Sequence, residues 1–304
     1  MFRAKVGPMF RSGKFTLVAA SVVCLLLLGT NAGASQNRDD SIAEAAELNN
    51  EAVVCVENHR YDQAVELLKK AIALRPDLAK GHYNLGRIYQ VRNELDLAIE
   101  AFQHAVDLNP DFVDALHALG ITYDRSERYA EAIECLTRAV KLQPGRADLL
   151  TELGFAYSKD GHAEDAVGVL HEAIRLRPDS GDAYNNLGVV YFKTGRISGA
   201  IESLQKAIRL TPDMVVAHYN LGYAMTEAHQ QQQAIACYKQ ALALKPDFAE
   251  AHHNLALLYL QRGERSLALE QYHLLKSIDY EMSQKLFQII FHDKILNVRE
   301  QGRE

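Results

Sequence analysis

Tryptophan is absent from this chain of 304 residues, and proline and glycine number only 7 and 18. With 48% hydrophobic and 24% charged residues, the composition is that of an ordered protein and not of a Pro/Gly-rich disordered one. Clustered Lys and Arg are also missing, and the formal net charge is −6. A surface of that sign repels phosphate backbones, which argues against nucleic acid as a ligand. No His-Glu-x-x-His, paired-Cys motif, nucleophile elbow or phosphate-cradling glycine loop occurs. A non-enzymatic protein without cofactor or metal is therefore expected.

The basic residues are unevenly placed. Residues 1–34 hold Arg3, Lys5, Arg11 and Lys14 and no acid, leaving 29 Lys and Arg against 39 acids elsewhere, near −10. These four cations precede an apolar run from Phe15 to Leu28, and Ala32-Gly33-Ala34 supplies the small residues of a signal-peptidase site. The pattern predicts an export signal cut after Ala34, a polar lead-in over 35–44, and a mature chain in the periplasm or cell envelope. An uncleaved membrane anchor is the alternative. The 23 uncharged residues between Lys14 and Arg38 would make a helix of about 34 Å, enough to cross a hydrocarbon core. The weakly apolar Gly29-Thr30-Asn31 favours cleavage.

Six of the seven prolines are Pro76, Pro110, Pro144, Pro178, Pro212 and Pro246, always 34 residues apart. A fixed period of this length marks a solenoid of supersecondary repeats. With the proline set at position 32, seven repeats run without insertion: 45–78, 79–112, 113–146, 147–180, 181–214, 215–248 and 249–282. Positions 4, 7, 8 and 11 have the spacing of one helical face; in the second repeat they are His82, Leu85, Gly86 and Tyr89. Position 20 is Ala in every repeat, from Ala64 to Ala268, and position 27 is Ala in the first six. Position 8 is always Gly or Ala (Ala52, Gly86, Gly120, Gly154, Gly188, Gly222, Ala256). Gly inside a helix costs about 1 kcal/mol against Ala, so its recurrence predicts a close helix–helix contact. Each repeat thus reads as two helices packed through small residues. The proline ends the second helix, because the residue before it is pushed out of α conformation. Cys135 and Cys237 lie three whole repeats apart, too far for a disulfide, and with Cys55 they read as small buried hydrophobes.

This pattern, with HYNLGRIY and then AIEAFQHAVDLNPD in the second repeat, resembles the tetratricopeptide repeat family over 45–282. The resemblance implies an all-α fold: antiparallel helix pairs stacked into a right-handed superhelical solenoid, with the first helices lining a concave groove. Stability in such an array comes from neighbour contacts and not from one central core. Beyond the repeats, Ser283–Glu300 carries Leu286, Phe287, Ile290, Phe291, Ile295 and Val298 at helical spacings. Residues 283–304 read as a C-terminal capping helix and tail, or as a docking helix whose second apolar edge meets a partner.

On a helical wheel, positions 2, 5, 9, 12 and 13 lie opposite the packing stripe, and the resemblance places them on the groove. They present Tyr83 and Arg87 in the second repeat, Ile121 in the third and Phe155 in the fourth. Val189 and Phe192 follow in the fifth, Tyr219 and Tyr223 in the sixth, and Leu257 in the seventh. Phe155 to Tyr223 is expected to form an apolar strip of the kind that centres protein interfaces. The alternative is that the same side chains pack between adjacent first helices. Position 6 is Asn in five repeats (Asn50, Asn84, Asn186, Asn220, Asn254), interrupted by Ala118 and Glu152. That run is similar to the asparagine ladder of the O-linked N-acetylglucosamine transferase repeats, which grips a peptide backbone; a structural role is the other reading. The carboxylate clamp of chaperone adaptors is absent, since position 5 is never Lys and position 9 never Asn.

Histidine does not suggest a metal. His82, His218 and His252 fall at position 4 and His117 and His253 at position 5. Equivalent positions in stacked helices are about 8–10 Å apart, too far for shared ligation. The expected function is an exported scaffold that binds a protein or extended peptide in its groove and supports complex assembly. The alternatives are a membrane-tethered assembly subunit and a carbohydrate- or metal-binding module using the His-rich faces.

Overall fold

The structure, a computed structural model, describes residues 40–301, with side chains as far as Phe291. The signal and anchor readings of residues 1–34, and the side chains of Ile295 and Val298, lie outside that description. Among the described residues the fold is an all-α helical repeat. Helix α1 spans 40–57, so the lead-in expected over 35–44 is already helical from residue 40. The chain continues through α2 (Tyr61–Leu74), α3 (Ala79–Val91), α4 (Leu95–Leu108), α5 (Val113–Arg125) and α6 (Tyr129–Leu142). Next come α7 (Ala147–Lys159), α8 (Ala163–Leu176), α9 (Gly181–Lys193), α10 (Ile197–Leu210), α11 (Val215–Glu227) and α12 (Gln231–Leu244). The last are α13 (Ala249–Gln261), α14 (Arg265–Ile278) and α15 (Tyr280–Gln301). None of the described helices is long and apolar enough to cross a membrane.

The turns repeat as regularly as the helices. Between the two helices of a pair, position 15 has positive φ each time: His59, Asn93, Glu127, Gly161, Gly195, His229 and Gly263. A single left-handed residue ends the first helix and reverses the chain. At the far end of each pair the residue before the proline is extended, as at Arg75 (φ −138°) and Lys245 (φ −135°). Asp279 takes the same conformation (φ −139°) although Tyr280 stands where the proline would be. With no proline there, helix α15 restarts at once, and the Met282 N–H donates to Asp279 Oδ1 at 2.8 Å. The last helix therefore begins three residues before Ser283.

The helices form two compact bodies that divide within α5, one ending at Ala115 and the other starting at Leu116. In the N-terminal body, Ala52, Cys55, Ala64, Val65, Leu68 and Ile88 form a buried cluster. Gly86 faces the ring of Phe102, and a Cβ on it would stand 2.7 Å from that ring.

The C-terminal body repeats this arrangement. A Cβ on Gly154 would lie 2.5 Å from Leu170 Cγ, and one on Gly188 would lie 2.6 Å from Leu204 Cγ. Position 8 is thus small because position 24 fills its space, which explains a glycine inside a helix at every occurrence. The Ala residues at position 20 are fully buried throughout. At the C-terminal end, Leu286 and Ile290 of α15 join the cluster that contains Tyr272 and Leu275. Phe287 meets the Tyr272 ring at 5.7 Å. The apolar stripe of α15 thereby covers the final pair, leaving Ile289 half exposed. Cys55, Cys135 and Cys237 are free thiols, the first two buried.

Candidate binding groove

Helices α7, α9, α11 and α13 lie in sequence beside one another in the C-terminal body. Their 34-residue register brings equivalent positions into rows. Phe155 from α7, Asn186 and Val189 from α9, and Tyr219 and Asn220 from α11 line one solvent-open hollow of about 1050 Å³. Ser158, Lys159, Asp182, Lys193 and Val216 complete much of its wall. Beside them, Phe192 of α9 and Tyr223 of α11 meet ring to ring at 4.9 Å, with Tyr223 the more exposed.

The rows are not equally free. Tyr219 packs against Phe248 (4.9 Å) and Tyr238 (5.8 Å), and its hydroxyl accepts a bond from Asn254 Nδ2 at 3.0 Å. Tyr83 is held in the same way in the N-terminal body, against Phe102 at 5.8 Å and Phe112 at 5.0 Å. Position 5 therefore works largely as mortar between neighbouring elements. Its place on the wheel did not show this, because the flank of one first helix is covered by the next. Thr151 and Asn185 at the same position are buried for the same reason.

Position 6 has a regular task. Asn84 Nδ2 donates to Asn49 Oδ1 at 2.9 Å, Asn220 Nδ2 to Asn185 Oδ1 at 2.9 Å, and Asn254 Nδ2 to the Tyr219 hydroxyl. In each case the partner lies 35 residues earlier, at position 5 of the preceding repeat. These amides tie neighbouring helices together. Asn186 differs: the residue 35 before it is Thr151, whose hydroxyl donates to Ala147 O at 2.8 Å. Asn186 Oδ1 accepts from Asn185 Nδ2 at 3.3 Å, and its own Nδ2 has no partner among the described residues. Ile121 on α5 and Leu257 on α13 are half-buried. Arg87 lies in the N-terminal body, its guanidinium 6.0 Å from the Tyr83 ring.

Charge is arranged on the same face. Lys193 Nζ donates to Ser158 O at 2.8 Å, and Lys159 Nζ stands 5.3 Å from the Phe155 ring. Burial and then the neighbouring Lys159 charge lower the pKa of Lys193. Glu152, on α7 among Asp124, Asp182 and Asp148, has its carboxyl pushed up to about 6, mainly by burial and then by those carboxylates. Burial also raises Asp124, with Lys159 opposing.

Sequence reasoning missed one recurring contact. His82, His218 and His252 at position 4 donate from Nε2 to the carbonyls of Pro76 (3.2 Å), Pro212 (2.8 Å) and Pro246 (2.9 Å). The signal was present as a histidine six residues after a proline. The imidazole satisfies the proline carbonyl in the turn that follows the second helix. Among the described residues, no group of three or more potential metal-ligating side chains comes together.

The comparisons agree with this architecture. A TPR repeat model matches residues 161–195, 190–228 and 227–263. The model of the cilia and flagella-associated protein 70 middle TPR-like domain matches residues 25–177. No curated protein matches the sequence. Among solved structures, a tetratricopeptide repeat protein from Parabacteroides merdae is similar with TM-score 0.69 at 15% identity, over 82% of this chain and 99% of that one. A chain of the APC/C hetero-tetramer Cut9–Hcn1 reaches TM-score 0.66 at 22% identity, over 79% of this chain and 48% of that one. YrrB, described as a TPR protein with an unusual peptide-binding site, reaches 0.53 at 25% identity, over 57% of this chain and 90% of that one. With family models matching from residue 25 to 263 and the same helix-pair fold in solved relatives, the chain belongs to the tetratricopeptide repeat proteins.

Proposed function

We propose that this chain is a non-catalytic scaffold, exported to the cell envelope, that binds a segment of another protein in the hollow formed by α7, α9 and α11. The observation that carries this reading is a wall of Phe155, Val189 and Tyr219 open to solvent and rimmed by Lys159, Lys193 and Asp182. Partly exposed aromatic groups inside a polar rim are the usual energetic centre of a protein interface. The description of YrrB as peptide-binding supports the same use of the fold. Holding one partner in the groove leaves other faces free for a second, which is how such a scaffold supports complex assembly.

Affinity capture from the native envelope fraction tests the groove. The triple variant Phe155→Ala/Phe192→Ala/Tyr223→Ala, checked for folding by circular dichroism, is expected to recover at least about tenfold less of the partners bound by the unaltered chain. Equal recovery would move binding off this groove. N-terminal sequencing of the chain from the same fraction tests export. A start at Ser35 is expected, and an intact residue 1–34 segment in the membrane fraction would make the chain a tethered subunit instead.

A further inference from the structure

Much of the amide and serine hydrogen-bonding capacity of the hollow is committed within the protein, and this limits the form of its occupant. Given a protein segment bound in the hollow, as proposed above, these commitments bear on that segment's conformation. Asn185 uses both ends of its amide, donating to Asn186 Oδ1 and accepting from Asn220 Nδ2. The hydroxyl and carbonyl oxygens of Ser158 both face Lys193 Nζ, at 3.4 and 2.8 Å. Asn186 Nδ2 is the amide donor left over.

An extended segment would bring one N–H and one C=O per residue, about every 3.3 Å. Crossing three helices stacked about 9 Å apart, it would present more backbone groups than the side chains left over in the hollow can bind, and would gain little from those that stay with water. A helix satisfies its own backbone and asks mainly for apolar contact. Its two-turn repeat of about 10.8 Å also lies close to the spacing of stacked helices.

The rim fixes the charge. Lys159 and Lys193 stand near enough for one ammonium to disfavour the other. Lys159 is partly answered by Asp124 on α5, whereas among the described residues Lys193 Nζ meets the neutral oxygens of Ser158. A row of carboxylates laid along these two lysines relieves their repulsion. Asp182 is on the opposite rim, eleven residues from Lys193 along α9, or about 16 Å. The preference for acid is therefore confined to one side.

We infer that the occupant of this hollow is an amphipathic α-helix that lays its apolar stripe across Phe155, Val189 and Tyr219 and turns an acidic flank to Lys159 and Lys193.

Three synthetic peptides of 21 residues, titrated into the full chain by fluorescence anisotropy, test this. All share one heptad-spaced apolar stripe. The first carries Glu along one flank, the second carries Lys there, and the third is the Glu peptide broken by two central prolines. The Glu helix is expected to bind at least about tenfold more tightly than either of the others. Lys159→Glu/Lys193→Glu should reverse the preference between Glu and Lys peptides. Equal or tighter binding by the proline peptide, indifference to flank charge, or no binding by any peptide would each overturn the inference. The triple aromatic variant separates the two levels. If it leaves peptide binding unchanged, the groove reading itself fails. If it weakens helical and proline-broken peptides alike, and these bind equally to the unaltered chain, only the helical occupant fails. The lysine exchange leaves the packed rings in place and carries the test if the triple variant melts early.

Discussion

At positions 9, 12 and 13 the N-terminal body carries Val53, Val56 and Val91 beside Arg87, Gln90 and Glu57, with no aromatic residue, whereas the C-terminal body carries Phe155, Phe192 and Tyr223 together with Lys159 and Lys193. The valines border a small apolar hollow of about 420 Å³ with Arg87 as its charged neighbour. The aromatic and charged residues belong to a face with a hollow more than twice that size. Behind these faces the two bodies follow the same packing rules. Position 20 is buried Ala in both, and position 8 is small opposite a large position 24 in both. The helix frame is set by steric rules that tolerate little change. Its outward positions are free to differ, and there the two bodies acquire different chemistry.

The largest expected effect attacks the frame. Leu170 is fully buried over Gly154, and Leu170→Ala would leave a void that a glycine cannot fill. It is expected to cost about 2–5 kcal/mol in chemical denaturation. Val53→Ala on the N-terminal face should cost well under that, since Val53 is 39% exposed. Equal costs would mean that the face valine is part of the frame.

Glu152 of α7 sets the C-terminal body apart in another way, as a half-buried acid among other carboxylates. Its carboxyl is moved from 4.5 to about 6, mainly by burial. Between those values the folded chain holds more protons than the unfolded one, so stability falls as pH rises through this window. The penalty is complete above pH 6 and amounts to about 2 kcal/mol. Glu152→Gln should therefore raise stability by about that amount at pH 8 and change it little at pH 4. Thermal melts at the two pH values check the sign. A variant less stable at pH 8 would show that the charged carboxylate is favourable.

Much of this frame was legible in the sequence because its causes are local and recur. A 34-residue proline period, an invariant Ala and a Gly at position 8 each report a steric requirement met in every repeat. The site was legible only in part. Phe155, Val189, Asn186, Tyr219 and Asn220 do share one hollow. The wheel could not distinguish Tyr223, which projects to solvent, from Tyr219, which is fixed by Phe248 and Asn254. A single helix has no information about the helix packed on its flank. The asparagine run was ambiguous for the same reason. Its donor role becomes visible only when residues 35 apart are brought side by side. The last helix starts three residues before Ser283, since the helix-starting role of Asp279 replaces the proline signal.

Asparagine then supplies a comparison within one row. Asn220→Ala removes the donor to Asn185 and leaves a buried amide oxygen without its partner. It should cost about 1–2 kcal/mol. Asn186→Ala removes an amide whose donor end is unused, and is expected to cost less than half as much. Urea denaturation of the two variants separates them. If Asn186→Ala is the more damaging, its amide is holding the fold and the donor counted as available to a guest is not available.

Val91 provides the smallest and most discriminating change. It is 63% exposed at position 13 of the second repeat, where the fourth and fifth repeats carry Lys159 and Lys193. Val91→Lys would copy the C-terminal rim onto the N-terminal face. A lysine there keeps an aliphatic stem along the apolar wall and sends its ammonium to water. Stability should change by no more than about 0.5 kcal/mol, as for most surface substitutions, and the melting temperature checks it. A loss above about 1 kcal/mol would mean that Val91 is held by packing in a way its exposure does not reveal. A neutral result would show that position 13 carries face chemistry in both bodies, so that the lysines of the C-terminal body are there for something other than the fold.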